Sequence, residues 1–397
     1  MRDSNRKDEE PIWSSIVANT SREDRGDIRR AWDPLLSPEL GVHGCQTLYE
    51  GLRHGCKLNA LGPCMGYRAV STTGFATPYI YSSYSECLAR VDALAAGLDA
   101  LNLLKANEDG LKVIGLYMKN CMEWVIAEHA TYAVGGCTAP FYDTLGPATV
   151  QFILTQTSAR SVVSTRAELA KLCEAKGTGK CPEFKHALLV DGVTTGASQM
   201  GKRVGLEVLS LAKVEAVGAQ TIASRGHKHQ PPSPDDVATF CYTSGTTGDP
   251  KGALLTHRNL ISAMAGLKQT VPMMEAHPYD RHLSYLPLAH IFERAVMCQM
   301  LSSGASVAFF RGDPQLLVED LQACRPTMMP VAPRVLNKIY DKVRFDFLMY
   351  YFGSWLWTID SQLHCRFKPV LPQREVPRKR FLMPPSLQRQ RAYGTGV

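Results

Sequence analysis

The sequence predicts an α/β fold in which parallel-rich sheets are covered by helices. Three observations support this prediction. From residue 84 onward, short apolar runs that are typical of buried strands alternate with amphipathic segments of helical period. A segment rich in glycine and hydroxyl groups, residues 242–252, lies between a strand pattern and a helix pattern. The chain has 397 residues, of which 45% are hydrophobic and 20% are charged, as is typical of a globular protein with a substantial core.

The individual elements follow from the apolar pattern. Residues 1–60 have no sustained period and predict an N-terminal lead, and the first clear helix pattern begins at Tyr84. The alternation that follows is typical of a parallel sheet with helices on its faces. The predicted strands are 112–117, 137–141, 160–164, 186–190, 237–242, 283–286, 306–309 and 327–331. The predicted helices are 122–132, 147–157, 167–174, 291–301, 314–323 and 334–343.

Two segments lack this alternation. Residues 194–235 are polar and rich in turn formers, which predicts a linker within a main domain that spans residues 61–343. After residue 343 aromatic residues become dense and then proline and arginine dominate, which predicts an unrelated, basic, disordered tail over residues 344–397. The His-Lys-His run at residues 227–229 raises a metal site as one interpretation, but solvated histidines are the commoner outcome in such a linker.

The charge and the cysteines restrict the class of function. The net charge is +7, and residues 366–397 alone carry eight basic residues and one acid, so the rest of the chain is neutral. The main domain is therefore not expected to bind nucleic acid. The 12 cysteines form no CxxC pair, and the charged N-terminus does not resemble a secretory signal. We expect reduced thiols in a cytosol-facing protein that is not secreted, with a disulfide network as the alternative.

The strongest functional prediction comes from residues 242–252, which read Tyr-Thr-Ser-Gly-Thr-Thr-Gly-Asp-Pro-Lys-Gly. Glycine allows backbone N–H groups to surround an anion, because no Cβ blocks the bent conformations. The hydroxyl groups add donors, and Lys251 adds a positive charge. The spacing is not that of a Walker loop. The order strand, loop, helix, with Thr256 as the cap of a helix near His257, predicts a polyphosphate site of another kind, with a surface turn as the alternative.

This segment resembles the phosphate loop of the AMP-forming adenylating enzymes, a family that includes acyl-CoA synthetases, luciferases and peptide-synthetase adenylation domains. Segments 141–146, 283–294 and 331–343 are similar to the long-chain fatty acid–CoA ligase branch and occur in the expected order. The resemblance covers about residues 60–343. It implies the adenylate-forming (ANL-type) fold and the activation of a fatty acid by ATP to acyl-AMP and then to acyl-CoA. ATP, Mg²⁺ and CoA are the cofactor and co-substrates that it implies.

The resemblance also implies roles for particular residues. Lys251 would neutralise the departing pyrophosphate, and Thr243 would contact Mg²⁺, although a hydroxyl that satisfies its own turn is an equal alternative for Thr243. His290 would lie beside the acyl-adenylate and the path of the CoA thiol, with a structural histidine at a helix start as the alternative. The implied ATP-binding residues are Thr243, Ser244, Gly245, Thr246, Thr247, Gly248 and Lys251.

Other residues in these segments carry less specific expectations. Glu293 and Arg294 are expected to form a local ion pair without a catalytic role. Tyr142 and Asp143 are typical of the long-chain branch but fit a turn equally well. The family's Tyr-Gly-x-Thr-Glu and Thr-Gly-Asp segments and its lid lysine are not found in residues 344–397. We therefore expect a truncated chain without the C-terminal lid domain, which is weakly active or inactive on its own.

Two other functions stay open at this point. Another branch of the adenylating enzymes would activate an aryl or amino acid, and the long-chain-type segments count against it. A non-catalytic protein would use the nucleotide fold for interaction, with residues 345–380 as an aromatic and basic contact to a membrane or a partner. Whichever function holds, we expect a cytosol-facing chain, with peripheral contact to the endoplasmic reticulum or another organelle membrane as one location.

Overall fold

The computed structural model describes residues 14–16, 21, 29–31, 43–71, 74–243, 250–270, 276–333, 335–337, 340, 341 and 344. The chain divides into two units, Met1–Pro330 and Val331–Val397. In the second unit, residues 333, 335–337, 340, 341 and 344 are helical, as predicted for 334–343. The remainder of the predicted tail lies outside the described residues. In the part of the chain that is described, no helix is both long and apolar enough to cross a membrane.

All the elements that follow belong to the first unit. The strands are β1 (Ser14–Ile16), β2 (Arg29–Ala31), β3 (Pro63–Tyr67), β4 (Ile80–Ser83), β5 (Val113–Tyr117), β6 (Cys137–Phe141), β7 (Ser161–Ser164), β8 (His186–Leu189), β9 (Glu207–Ser210), β10 (Val237–Thr243), β11 (Lys251–Thr256), β12 (Arg281–Ser284) and β13 (Ser306–Phe309). The helices are α1 (Leu48–Asn59), α2 (Tyr84–Ala100), α3 (Met122–Ala133), α4 (Pro147–Thr157), α5 (Arg166–Gly177), α6 (Thr195–Arg203), α7 (Leu211–Arg225), α8 (His257–Thr270), α9 (Ile291–Ser302) and α10 (Leu317–Cys324).

Two sheets organise this unit. The larger has the order β11-β10-β6-β5-β7-β8-β9 and is parallel except for β11, and the smaller has the order β12-β13-β3-β4 and is parallel except for β4. Every residue of β5 and β6 is buried, as expected for parallel strands that are covered on both faces. The α/β, parallel-rich class that the sequence predicts is therefore confirmed.

The linker predicted over residues 194–235 is wrong for most of its length, because α6, β9 and α7 occupy residues 195–225. Helix α7 packs against α2 through glycines rather than through a broad apolar stripe. A Cβ on Gly218 would lie 1.7 Å from the carbonyl oxygen of Ala93, and a Cβ on Gly97 would lie 2.1 Å from that of Val214. Glycine is also typical of turns, so the glycines in this segment favoured a linker although they allow two helices to pack closely.

The order strand, loop, helix predicted around the phosphate loop is also wrong, because strand β11 intervenes. This strand pairs antiparallel with β10 at the edge of the larger sheet. Most of its side chains are exposed or half-buried, so it lacks the apolar run of a buried strand. The predicted cap is confirmed, since Asn259 N donates to Thr256 Oγ1 at 3.2 Å at the start of α8.

Smaller corrections concern the two ends of the predicted domain. The predicted N-terminal lead contains α1, whose first turn is closed by a capping box between Thr47 and Glu50. The predicted strand 327–331 is reduced to a single bridge between His282 and Met328, because Thr327 is tied instead to Asp280 and Arg281.

His257 joins the starts of two helices from a fully buried position. Leu48 N, at the start of α1, donates to His257 Nδ1 at 3.2 Å, and the imidazole ring contacts Tyr132 edge-on at 4.8 Å. Burial lowers the pKa of His257 to about 4, and it lowers the pKa of His129 on α3 to about 4 as well. In the folded chain at neutral pH, the side chains of His257 and His129 are therefore uncharged.

We expect the free energy of unfolding to fall as the pH decreases from 6.5 towards 4. The unfolded chain binds a proton on each histidine near pH 6.5, whereas the folded chain does so only near pH 4, so acid favours unfolding. The expected loss is on the order of 2 kcal/mol per histidine at pH 5. Urea unfolding at pH 7.5 and 5 measures it. His257→Asn keeps an acceptor for Leu48 N and should remove the contribution of one histidine, on the order of 2 kcal/mol between pH 7.5 and 5; an equal pH dependence in this variant would contradict the assignment.

Candidate functional site

The hairpin of β10 and β11 carries the predicted phosphate loop. Thr243 and Lys251 lie directly opposite each other at the end next to the connecting loop, and Thr243 Oγ1 is 3.5 Å from the carbonyl oxygen of Lys251. Both residues are exposed. The structure therefore brings together the threonine and the lysine that the sequence assigns to Mg²⁺ and to pyrophosphate. The other predicted loop residues lie outside the described residues and stay predictions: Ser244, Gly245, Thr246, Thr247 and Gly248.

Strand β10 is fixed where it enters the loop. Tyr242 Oη donates to Gln156 Oε1 of α4 at 2.7 Å, and burial raises the pKa of Tyr242 to about 12. A Cβ on Gly252 would lie 3.0 Å from carbons of the Tyr242 ring. Gly252, the last glycine of the loop segment, therefore allows the two strands to pack closely around this ring.

His290 caps helix α9. Its Nδ1 accepts from Phe292 N at 3.2 Å, and its backbone N donates to Pro287 O at 2.9 Å. The side chain is exposed. The bond to Nδ1 is the one expected of a structural histidine at a helix start, which was the alternative predicted for this residue. Any role in chemistry would therefore use Nε2.

A cavity of about 290 Å³ adjoins the turn before His290. Its lining includes Tyr142 and Asp143 from one segment and Pro287 and Ala289 from another that is distant in the sequence. The cavity lies where β5, β6 and β12 end, and the carboxyl ends of strands are where open α/β sheets bind ligands.

Tyr142 and Asp143 occupy a turn, as one of their two interpretations predicts. Leu145 N donates to Tyr142 O at 3.0 Å. Lys171 Nζ, from α5, donates to Asp143 O at 2.9 Å, and Tyr117 Oη donates to Leu145 O at 2.9 Å. Sequence reasoning missed Lys171 and Tyr117, which fix this turn beside the cavity.

Asn120 is a third residue that the sequence did not predict. Its Nδ2 donates to Ser284 Oγ at 2.9 Å and to Leu286 O at 2.7 Å, and its Oδ1 accepts from Leu288 N at 2.8 Å. The only signal in the sequence is a polar residue shortly after a buried strand, where ligand-binding loops begin in such sheets.

A larger cavity of about 490 Å³ shares Asn120 and Phe310 with the smaller one. Three arginines line it, and each is paired with a carboxylate. Arg68 and Arg311 both contact Asp320 at 2.8 Å, and Arg90 contacts Glu215 at 3.0 Å. Glu319 also pairs with both Arg68 and Arg311, so three carboxylates offset the three guanidinium groups and the cavity lining offers no unpaired arginine to a free anion.

Arg294 connects the helix that His290 caps to the strand that leads into the phosphate loop. The guanidinium is buried, pairs with Glu128 of α3, and donates to Thr239 Oγ1 of β10 at 2.6 Å and to Thr138 Oγ1 of β6 at 3.2 Å. Burial is the largest single influence and lowers the pKa of Arg294, but the carboxylate of Glu128, together with Tyr132 and Cys298, raises the pKa by more than burial lowers it.

The predicted ion pair between Glu293 and Arg294 is wrong. Glu293 Oε1 lies 2.8 Å from His282 Nε2 of β12, and both side chains are fully buried. Successive residues of a helix point in different directions, so these neighbours on α9 contact different elements. Glu293 fixes α9 to the smaller sheet and Arg294 fixes it to the larger.

In the described ranges, no group of three or more His, Cys, Asp or Glu residues is arranged to hold a metal ion. The histidines of the run at residues 227–229 bind to α2 instead. His227 Nε2 lies 2.8 Å from Asp99 Oδ2, and His229 Nε2 lies 3.6 Å from Asp92 Oδ1. These contacts attach the short segment after α7 to the main domain.

We expect Arg294→Met and Glu128→Leu each to lower the free energy of unfolding by about 3–5 kcal/mol, because each leaves a buried charge unpaired. The double variant should recover at least half of that loss, since it removes both charges. Urea unfolding measures the three values. Arg258→Met is the matched control, because Arg258 forms an exposed pair with Asp235 at 2.7 Å and should change stability little. Losses that simply add in the double variant would contradict a buried ion pair.

Comparison with known proteins identifies related sequences. A profile described as AMP-binding enzyme matches residues 64–360. Long-chain-fatty-acid–CoA ligase 5 of Rattus norvegicus is 38% identical over 301 residues, which are 75% of this chain and 42% of that protein. Long-chain-fatty-acid–CoA ligase 1 of Homo sapiens is 37% identical over 299 residues, which are 75% of this chain and 41% of that protein. The chain thus spans less than half the length of these curated relatives.

Solved structures share the fold at lower identity. The adenylation domain of a carboxylate reductase from Mycobacterium chelonae has a TM-score of 0.62 at 18% identity, over 79% of this chain and 51% of that one. The A domain of carboxylic acid reductase from Segniliparus rugosus, solved with AMP and a co-purified carboxylic acid, has a TM-score of 0.62 at 21% identity, over 81% of this chain and 53% of that one. These similarities confirm the predicted adenylate-forming fold.

Proposed function

Because the chain belongs to the AMP-binding enzyme family, we propose that it takes part in the ATP-dependent activation of a long-chain fatty acid to acyl-AMP and then to acyl-CoA. One observation carries the proposal: the hairpin that presents Thr243 and Lys251 is joined, through Arg294, to the helix that His290 caps. The names of the sequence relatives supply the substrate class. The proposed small-molecule partners are a fatty acid, ATP and CoA, and not nucleic acid.

The hairpin is the proposed site for the triphosphate of ATP. The fatty carboxylate would attack the α-phosphorus, and pyrophosphate would leave with the negative charge that Lys251 is placed to neutralise. Glycines and hydroxyls of residues 244–248 would add donors. Mg²⁺ prefers oxygen ligands and keeps several waters, so the exposed hydroxyl of Thr243 fits as one ligand beside the phosphates. The metal would neutralise phosphate charge when it is bound.

The smaller cavity is the proposed place where the acyl group meets the thiol. In the second half-reaction the thiol of CoA attacks the acyl carbonyl, and AMP leaves. Tyr142, Asp143 and the turn before His290 border this space, and His290 Nε2 would lie at its edge. The neutralised arginines of the larger cavity offer no competing site for the phosphates.

We also propose domain limits and a location. The domain is taken as residues 61–343 and the basic tail as residues 344–397, with a cytosol-facing chain that contacts a membrane peripherally through residues 345–380. The eleven described cysteines are free thiols, which suits a reducing compartment. Sedimentation with anionic lipid vesicles, with and without residues 345–397, tests the membrane contact; equal sedimentation would contradict it.

We expect the purified chain to bind MgATP, and Lys251→Ala to weaken the binding about tenfold, because a charge-assisted contact to phosphate is lost. Isothermal titration calorimetry measures both dissociation constants. Lys202→Ala is the matched control, since Lys202 is exposed on α6, next to β9 at the far end of the larger sheet from the hairpin. Equal affinities for the wild-type chain and Lys251→Ala, or no binding of MgATP, would refute the proposed role of the hairpin.

We expect the 397 residues by themselves to release pyrophosphate from ATP and palmitate slowly or not at all. Residues 344–397 do not contain the segments that the resemblance implies for ribose binding by an aspartate, for Mg²⁺ binding by a glutamate and for the lid lysine. A coupled pyrophosphate assay measures the rate. Rapid release that depends on palmitate would show that other residues of this chain supply those groups.

A further inference from the structure

Both polar groups of the Asn120 side chain, its Nδ2 and its Oδ1, form hydrogen bonds to one turn at the end of a strand of the smaller sheet. Asn120 lies shortly after β5 of the larger sheet, whereas its three partners, Ser284, Leu286 and Leu288, belong to the end of β12 and the turn after it. The carbonyl of Leu286 needs a donor and the N–H of Leu288 needs an acceptor. An amide supplies both in one orientation at neutral pH, whereas a carboxylate only accepts.

These contacts fix the turn on both sides of its proline. Pro287 has no N–H, so the neighbouring Leu286 O and Leu288 N provide its nearest backbone anchors. Pro287 O in turn accepts from His290 N at 2.9 Å. The position of His290 at the start of α9 therefore follows from the position of a turn that Asn120 holds.

The residue before Asn120 makes a parallel contact. Lys119 Nζ donates to Gly312 O at 3.2 Å, in the loop after β13. The residues after β5 thus contact the loops that follow β12 and β13, two strands that pair with each other in the smaller sheet. Asn120 also lies in the wall that the two cavities share.

We propose that Asn120 is a positioning residue that holds the Ser284–Leu288 turn, and through it His290, against the sheet that carries the phosphate hairpin. The importance of that position for acyl transfer rests on the proposed function. The hold on the turn does not, because it follows from the three hydrogen bonds alone.

Asn120→Asp tests the proposal with almost no change of shape. The carboxylate can still accept from Leu288 N, but it cannot donate to Leu286 O. Asn59→Asp is the matched control, because Asn59 is also half-buried and its Nδ2 donates to Gly304 O at 2.9 Å, at the other end of α9. Hydrogen–deuterium exchange of peptides that cover 285–290 and 302–306 reports on the two turns, and carbethoxylation by diethyl pyrocarbonate reports on His290.

We expect exchange over residues 286–290 to be about tenfold faster in Asn120→Asp, with His290 modified faster, because a carbonyl loses its donor. Asn59→Asp should affect only the peptide around Gly304. Ser284→Ala removes one of the three partners and should give a smaller change in the same peptide, which keeps the test valid if Asn120→Asp does not fold. Equal exchange in the wild-type chain and in these variants, or equal opening of residues 286–290 in Asn59→Asp, would overturn the proposal.

A pH profile separates positioning from a general loss of packing. At acidic pH the carboxyl group introduced by Asn120→Asp becomes neutral and donates again, so protection factors over 286–290 should return towards those of the wild type. The charged side chains around it are Arg68, Arg90, Glu123 and Arg311 in the larger cavity and Lys119 and Asp143 in the smaller. Protection that stays low at every pH would contradict the proposal. These measurements use no nucleotide, so failure to bind MgATP would count against the proposed function alone.

Discussion

The buried guanidinium of Arg294 is the contact on which the geometry of the site depends. It binds Glu128 on α3, Thr138 on β6 and Thr239 on β10, and it lies on the helix that His290 caps. An unpaired charge inside a protein costs several kcal/mol, so these elements cannot separate without a large penalty. One cation thereby sets the relation between the phosphate hairpin and the turn on the opposite side of the site.

Two further contacts complete that relation from the side of the smaller sheet. His282 and Glu293 fix α9 to β12, and Asn120 fixes the turn between these elements to the end of β5. The proposed site is therefore bordered by polar contacts that link the two sheets. Such contacts are directional, so they determine a position more narrowly than packing alone does.

The buried strands were predicted well from the sequence, whereas the strand at the edge of the larger sheet and one helix were missed. β6 and β13 have the bounds that their apolar runs predict, because parallel strands covered on both faces are buried throughout, and α4 begins at Pro147 as its helical pattern predicts. β11 was missed because an edge strand with exposed side chains has no such pattern, and α7 because glycines form its contact. The phosphate-binding role of residues 242–252 was predicted from their residue types and stays a prediction. Asn120 was not predicted, since its partners are 164 to 168 residues away in the sequence.

Photoaffinity labelling with an ATP derivative that carries a photoreactive group on the γ-phosphate tests the central claim most directly, because it locates the triphosphate on the chain. We expect mass spectrometry to find the label in peptides that cover the hairpin, residues 242–256, and unmodified MgATP to prevent the labelling. Label concentrated in the peptides of the larger cavity, around Arg68 and Arg311, or label that MgATP does not displace, would contradict it.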